Sequence, residues 1–147
     1  MGMRVQIGFT HSEIKGNDLL ELVKTAEANP FIYLHWGFKA EDQESLDSVK
    51  GFIKEFHKHR GHDIVYLPFW LVHYFANNDI KACKSLKTAF SYEEFNYNVL
   101  SHGIDNNIHG DIEYLYLVSP TQIYCLSPKY KNYEIYDYSL IKSEPLN

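Results

Sequence analysis

Apolar residues recur along this chain at two different periods, and together they predict a mixed α/β or α+β fold in one three-layer-like domain spanning 1–147. Residues 31–68 carry most of that expectation. FIYLHW (31–36) and DIVYLP (63–68) are apolar runs of strand length, and the stretch between them, 39–61, repeats its apolar residues at helical period. A strand, a crossover helix and a strand make a unit that joins parallel strands. An alternating run and a second helical stretch before residue 31 extend it to an N-terminal βαβαβ unit, which a helical middle follows. The last third breaks into strand-like runs separated by turn residues, which predicts a C-terminal antiparallel strand meander.

Each element has its own warrant. Met3, Val5, Ile7 and Phe9 alternate with Arg4, Gln6 and Gly8, the pattern of a half-buried strand. Asn17 is placed to cap a helix over 18–28 with Leu19, Leu22, Val23 and Ala26 inward, and Asn29-Pro30 ends it. In 39–61, Leu46, Val49, Phe52, Ile53 and Phe56 form one stripe. Acids fill the first turns and bases the last, as the helix dipole favours, and Gly61 suits the C-terminal cap. Gly51, inside that helix, suggests close packing against the sheet. FWLVHYFA (69–76) reads as a buried segment, with His73 partly buried. NND (77–79) breaks it, and a further helix runs to about residue 90. Ser91 and Glu94 form a capping-box pattern for a helix over 92–101, and 102–110 is loop by composition. DIEYLYLV (111–118), QIYCL (122–126) and YEIYDYSLI (133–141) are the three late strands, with SPT and SPKYKN between them.

Composition narrows the function classes. A formal net charge of −5 argues against general nucleic-acid binding, which needs an excess of Lys and Arg, and favours a basic protein partner. Twelve Tyr and nine Phe serve core packing and also suit a contact surface, because a phenol buries area while its hydroxyl stays wet. Two cysteines without a framework spacing fit a reduced, cytoplasmic protein, and no apolar stretch reaches the ~18 residues of a membrane span.

The densest titratable stretch is His57-Lys58-His59-Arg60-Gly61-His62-Asp63. Its histidine spacing resembles the HxHxDH run of the metallo-β-lactamase fold, which implies Zn or Fe held by His57, His59 and His62. Gly61 stands where that family has its Asp, and a helix precedes the run where the family has a strand. No cofactor is expected from the residues themselves, since the bland reading is the solvated basic end of a helix. The same stretch offers an anion site for a phosphorylated or nucleotide ligand at Lys54, Lys58, Arg60 and Lys84, with Lys81 and Lys87 nearby. No glycine-rich phosphate loop accompanies it.

A second enzymatic alternative pairs Cys83, read near the start of a helix where the dipole lowers a thiol pKa, with His35 at a strand end as its base. That order, with IGFTHS (7–12) and SPTQIY (119–124), resembles the circularly permuted NlpC/P60 group of papain-like hydrolases. The resemblance implies Cys83 as nucleophile and His35 as base. His11 and Glu13 follow the first strand, a favoured ligand position in open α/β sheets, and His102, Asp105, His109 and Asp111 gather in one loop.

None of these sets is a complete catalytic constellation. The leading expectation is therefore a partner-binding protein, of the inhibitor, immunity or anti-defence kind, that neutralises a basic protein. Its surface would be Tyr133, Glu134, Tyr136, Asp137 and Tyr138, with Glu113 and Tyr116 behind them.

Overall fold

A computed structural model describes residues 3–16, 18–35, 37–85 and 102–147, with the side chains of 80–85 and 102 left out. The expected helix over 92–101 and its Ser91–Glu94 pair lie outside the described residues, as do Asn17 and Lys87. The chain forms β1 (Val5–Phe9), α1 (Leu19–Ala26), β2 (Phe31–Leu34), α2 (Gln43–Arg60), α3 (Leu67–Ser85), β3 (His102–Asp105), β4 (Tyr114–Val118), β5 (Gln122–Lys131) and β6 (Glu134–Pro145). One six-stranded sheet orders them β3-β2-β1-β4-β5-β6. The fold is mixed α and β with three layers: α1 covers one face of the sheet, and α2 with α3 covers the other.

The first strand corrects its own pattern. Every residue of β1 is buried, not every second one. β1 lies between β2 and β4 with helices on both faces, so neither face meets water. Gln6 is tolerated there because its amide is fully used: Nε2 donates to the Asn107 carbonyl at 2.9 Å, and Oε1 accepts from the His109 N–H at 2.8 Å. Gly8 makes room for a neighbour, since a Cβ there would stand 2.6 Å from the Phe31 ring. The apparent polar alternation was one satisfied amide and one missing side chain.

Asp18, not Asn17, caps α1, accepting from the Glu21 N–H at 3.1 Å. β2 then runs antiparallel to β1, so the first half of the expected βαβαβ unit is not a parallel pair. Asp42 caps α2, accepting from the Ser45 N–H at 3.1 Å, and Leu46, Val49 and Ile53 are buried as the stripe required. Gly51 is exposed with open space around it, so it serves no close approach. Lys50 on α2 pairs with Glu144 on β6 at 2.7 Å and ties the helix across the sheet.

The strand expected at 63–68 does not form. The Asp63 carboxylate accepts from the Val65 and Tyr66 N–H groups at 3.2 and 3.3 Å, and its carbonyl accepts from Leu67 N–H at 2.9 Å, which closes a turn into α3. Pro68 sits in the first turn of α3, where a helix lacks no hydrogen bond for want of its N–H. α3 runs unbroken through NND (77–79), and the strand beside β2 is β3, inside the stretch read as loop.

The C-terminal meander forms as expected, entered through β4, which pairs parallel with β1. Its strands run longer than their apolar cores. Pro128 lies within β5 beyond Leu126, where β4 no longer pairs and one edge is free. The β5–β6 hairpin closes on Asn132 and Tyr133, both with positive φ (53° and 65°), the mark of a two-residue turn whose twist matches the strands. Among the described residues, no helix is long and apolar enough to cross a membrane.

Candidate interaction site

The three histidines of the 57–63 run do not meet at one point: His57 and His62 touch, and His59 stands apart. His59 lies on the exposed side of α2, with Nε2 3.1 Å from a Glu55 carboxylate oxygen. His62 Nε2–H donates to the Thr10 carbonyl at 2.8 Å, which leaves its Nδ1 to accept from His57 Nε2–H at 3.0 Å. Burial, and then the neighbouring imidazole, hold His57 below the usual histidine range. Burial lowers His62 more than the Thr10 carbonyl raises it. Two neutral imidazoles thus lash the end of α2 to the end of β1. Among the described residues, no group of three His, Cys, Asp or Glu is placed to hold a metal ion.

The cations of the same end are largely neutralised. Lys58 lies 3.5 Å from Glu55, and Arg60 lies 3.1 Å from Asp63 with its guanidinium 4.1 Å over the Tyr66 ring. Lys54 is half-buried, and the Lys84 side chain lies outside the described residues. Cys83 lies within the last described turn of α3, not near a helix start as expected. Its side chain is likewise outside the described residues, while His35 is half-buried just after β2. The other cysteine, Cys125, is in the core, and burial pushes its thiol up to about 11.

The remaining polar candidates hold loops in place. Glu13 accepts from Ser119 Oγ, Tyr124 OH and Thr121 Oγ1, each at 2.7 Å, pinning the exit of β1 to the β4–β5 turn. Burial alone would raise its pKa, but these hydrogen bonds outweigh that and lower it. His109 lies 2.5 Å from Asp105 and stacks on Tyr33 at 4.3 Å, and Asp111 pairs with Arg4 at 2.7 Å. His73 is exposed, its ring edge toward Trp70.

The proposed phenol surface divides in two. Tyr116 is fully buried and donates to the Phe38 carbonyl at 3.2 Å. Tyr138 is buried beneath α1, which pushes its hydroxyl up to about 12. Both belong to the core, because their strand positions face helices. Asp137 is half-buried, and its carboxylate accepts from the Tyr138 N–H at 2.8 Å. Asp137 and Glu134 also stand opposite Lys129 and Lys131, so that ladder is charge-balanced. Tyr133, by contrast, is 97% exposed at the hairpin tip, Tyr136 is 56% exposed on β6, and Glu113 and Glu134 are exposed.

Two grooves flank Tyr133. One, of about 660 Å³, lies between Tyr130, Tyr133, Asp111 and Glu113. The other, of about 440 Å³, runs toward α1 past Ile135 and Leu20. Reasoning from sequence missed Tyr130 and Leu20. The signal for the tip is Asn132 between two alternating runs, which marks a hairpin turn, whereas the expectation above spreads the turn over the whole of SPKYKN. Also missed was a second exposed apolar surface at the α2–α3 corner, where Val65 and Phe69 lie beside Ile104 of β3 and Trp70 is exposed next to Phe69. Comparison with family models, curated proteins and solved structures finds no match for this chain.

Proposed function

We propose that the protein works in the cytoplasm by binding a basic protein and masking it, as an inhibitor, immunity or anti-defence protein does, with the β5–β6 hairpin tip as its anchor. One observation carries the reading. Tyr133 adopts φ +65°, a conformation that disfavours an L side chain by about 1–2 kcal/mol, yet its ring is almost wholly in water. Glycine would make the turn more cheaply, and the fold gains no packing from the ring. Local strain without a folding benefit points to a use outside the fold. The net charge of −5 and the Glu113 carboxylate, unpaired among the described residues and beside the tip, suit a positively charged partner and speed encounter with it.

The test is capture from the native host by the whole chain and by Tyr133→Gly. The expected result is a partner of net positive charge that is lost from the variant while the variant stays folded by circular dichroism. Undiminished capture by Tyr133→Gly, or a partner that is itself acidic, defeats the reading.

A further inference from the structure

We infer that the groove between Tyr130 and Tyr133 is a subsite for an arginine side chain of the partner, a refinement that rests on the partner-binding reading above. It is lined by the phenols of Tyr130 and Tyr133, the carboxylates of Asp111 and Glu113, and by Gly110, Ile112 and Asn132. The Tyr130 hydroxyl donates to the Ile112 carbonyl at 2.5 Å, which fixes that ring against the groove wall. Asp111 already holds the Arg4 guanidinium at 2.7 Å. Glu113 is exposed, and among the described residues its carboxylate makes no ion pair and no hydrogen bond. The groove therefore has one unneutralised carboxylate beside two aromatic walls. The negative field reaches the phenol: burial first, then Asp111 and Glu113, raise the pKa of Tyr130.

This combination selects arginine over lysine on chemical grounds. A guanidinium is planar, sheds water more readily than an ammonium, stacks on a phenol and still forks onto a carboxylate. The molecule contains the same arrangement elsewhere, where Arg60 lies over Tyr66 and reaches Asp63. In the groove the ring and the carboxylate are present and the guanidinium comes from outside.

The experiment uses the full chain and a defined probe. N-acetyl-Gly-Arg-Gly-amide is titrated by NMR against its citrulline counterpart, which keeps the shape and removes the charge, and against its lysine counterpart. The expected result is weak saturable binding with shifts centred on Tyr130, Tyr133 and Glu113. Arginine should bind about tenfold tighter than citrulline and several-fold tighter than lysine. Glu113→Gln should remove most of the difference between arginine and citrulline, and Val65→Ala, at the exposed α2–α3 corner, should leave it intact. Equal binding of arginine and citrulline, shifts centred elsewhere, or an unaffected Glu113→Gln overturns the subsite whatever partner capture shows. If the arginine peptide binds as expected but partner capture survives Tyr133→Gly, the subsite stands and the partner-binding reading falls.

Discussion

Gly61 and Tyr133 hold the same unusual backbone angle, φ 66° and 65°, at opposite regions of the molecule. At the α2–α3 corner the position belongs to glycine, which closes α2 without strain. At the hairpin tip it belongs to a tyrosine. Both regions also expose large apolar side chains, but for different reasons. The first turn of α3 directs Leu67 and Leu71 into the core, and the helix then leaves Phe69 and Trp70 on its other side. Around them the charges are paired: Arg60 with Asp63, and Lys58 with Glu55. At the tip the backbone is strained, and Glu113 is without a partner among the described residues. Exposure alone therefore does not separate a binding surface from the back of a helix. Strain and an unpaired charge coincide at the tip, and that coincidence is the ground on which the tip is proposed as the binding surface.

The largest effect expected from this contrast is at the corner. Leu71→Ala removes a fully buried side chain and should destabilise the fold by about 2–5 kcal/mol, whereas Phe69→Ser on the outer side should change stability by no more than about 0.5 kcal/mol. Urea denaturation measures both. A large loss for Phe69→Ser would mean the corner is packed and not merely exposed, and the contrast with the tip would fail.

The next effect is pH-dependent and again belongs to the corner. His57 and His62 are harder to protonate in the fold than in the unfolded chain, burial being the larger cause, and His11 and Glu13 are the other charged neighbours that His62 feels. The unfolded chain therefore binds more protons as pH falls through about 6.5, and stability contributed by the pair is full above that value and lost below it. The denaturation midpoint should be lower at pH 5.5 than at 7.5. The drop should shrink in the double variant His57→Gln, His62→Gln. Carboxylates whose pKa is lowered, Glu13 among them, add their own loss only at more acid pH. Hydrogen exchange should show the loosening at 57–66 and not at the tip, and equal loosening at both would break the distinction.

How much of this was legible in the sequence follows the same division. Helical periodicity placed α2 within a few residues because its stripe, acidic start, basic end and Gly61 all agreed. The meander was legible as well, from Pro and Asn between alternating runs. DIVYLP failed as a strand because Asp63 captures two N–H groups that a strand would have used, a local competition that apolar content does not reveal. β3 was hidden because His102, Gly103 and Asp105 carry no strand signal, and its pairing with β2 comes from the fold. At the site, Tyr116 and Tyr138 carried the same letters as Tyr133, and only the placement of helices over the sheet sorted core phenols from exposed ones.

The smallest effects test the tip itself and separate the ring from the strain. Tyr133→Gly should stabilise the fold by about 1 kcal/mol, because glycine reaches positive φ without the penalty and no packing is lost; the gain is partly offset by the freer unfolded chain. Tyr133→Asn should gain only a few tenths of a kcal/mol, since asparagine tolerates the same region less well than glycine but better than tyrosine. Thermal unfolding of the three proteins should therefore rank Gly above Asn above Tyr, the reverse of their order in holding a basic partner. If Tyr133→Gly instead unfolds at a lower temperature than the parent, the ring supports the fold after all. Its exposure would then carry no functional meaning, and the tip would be no different from the corner.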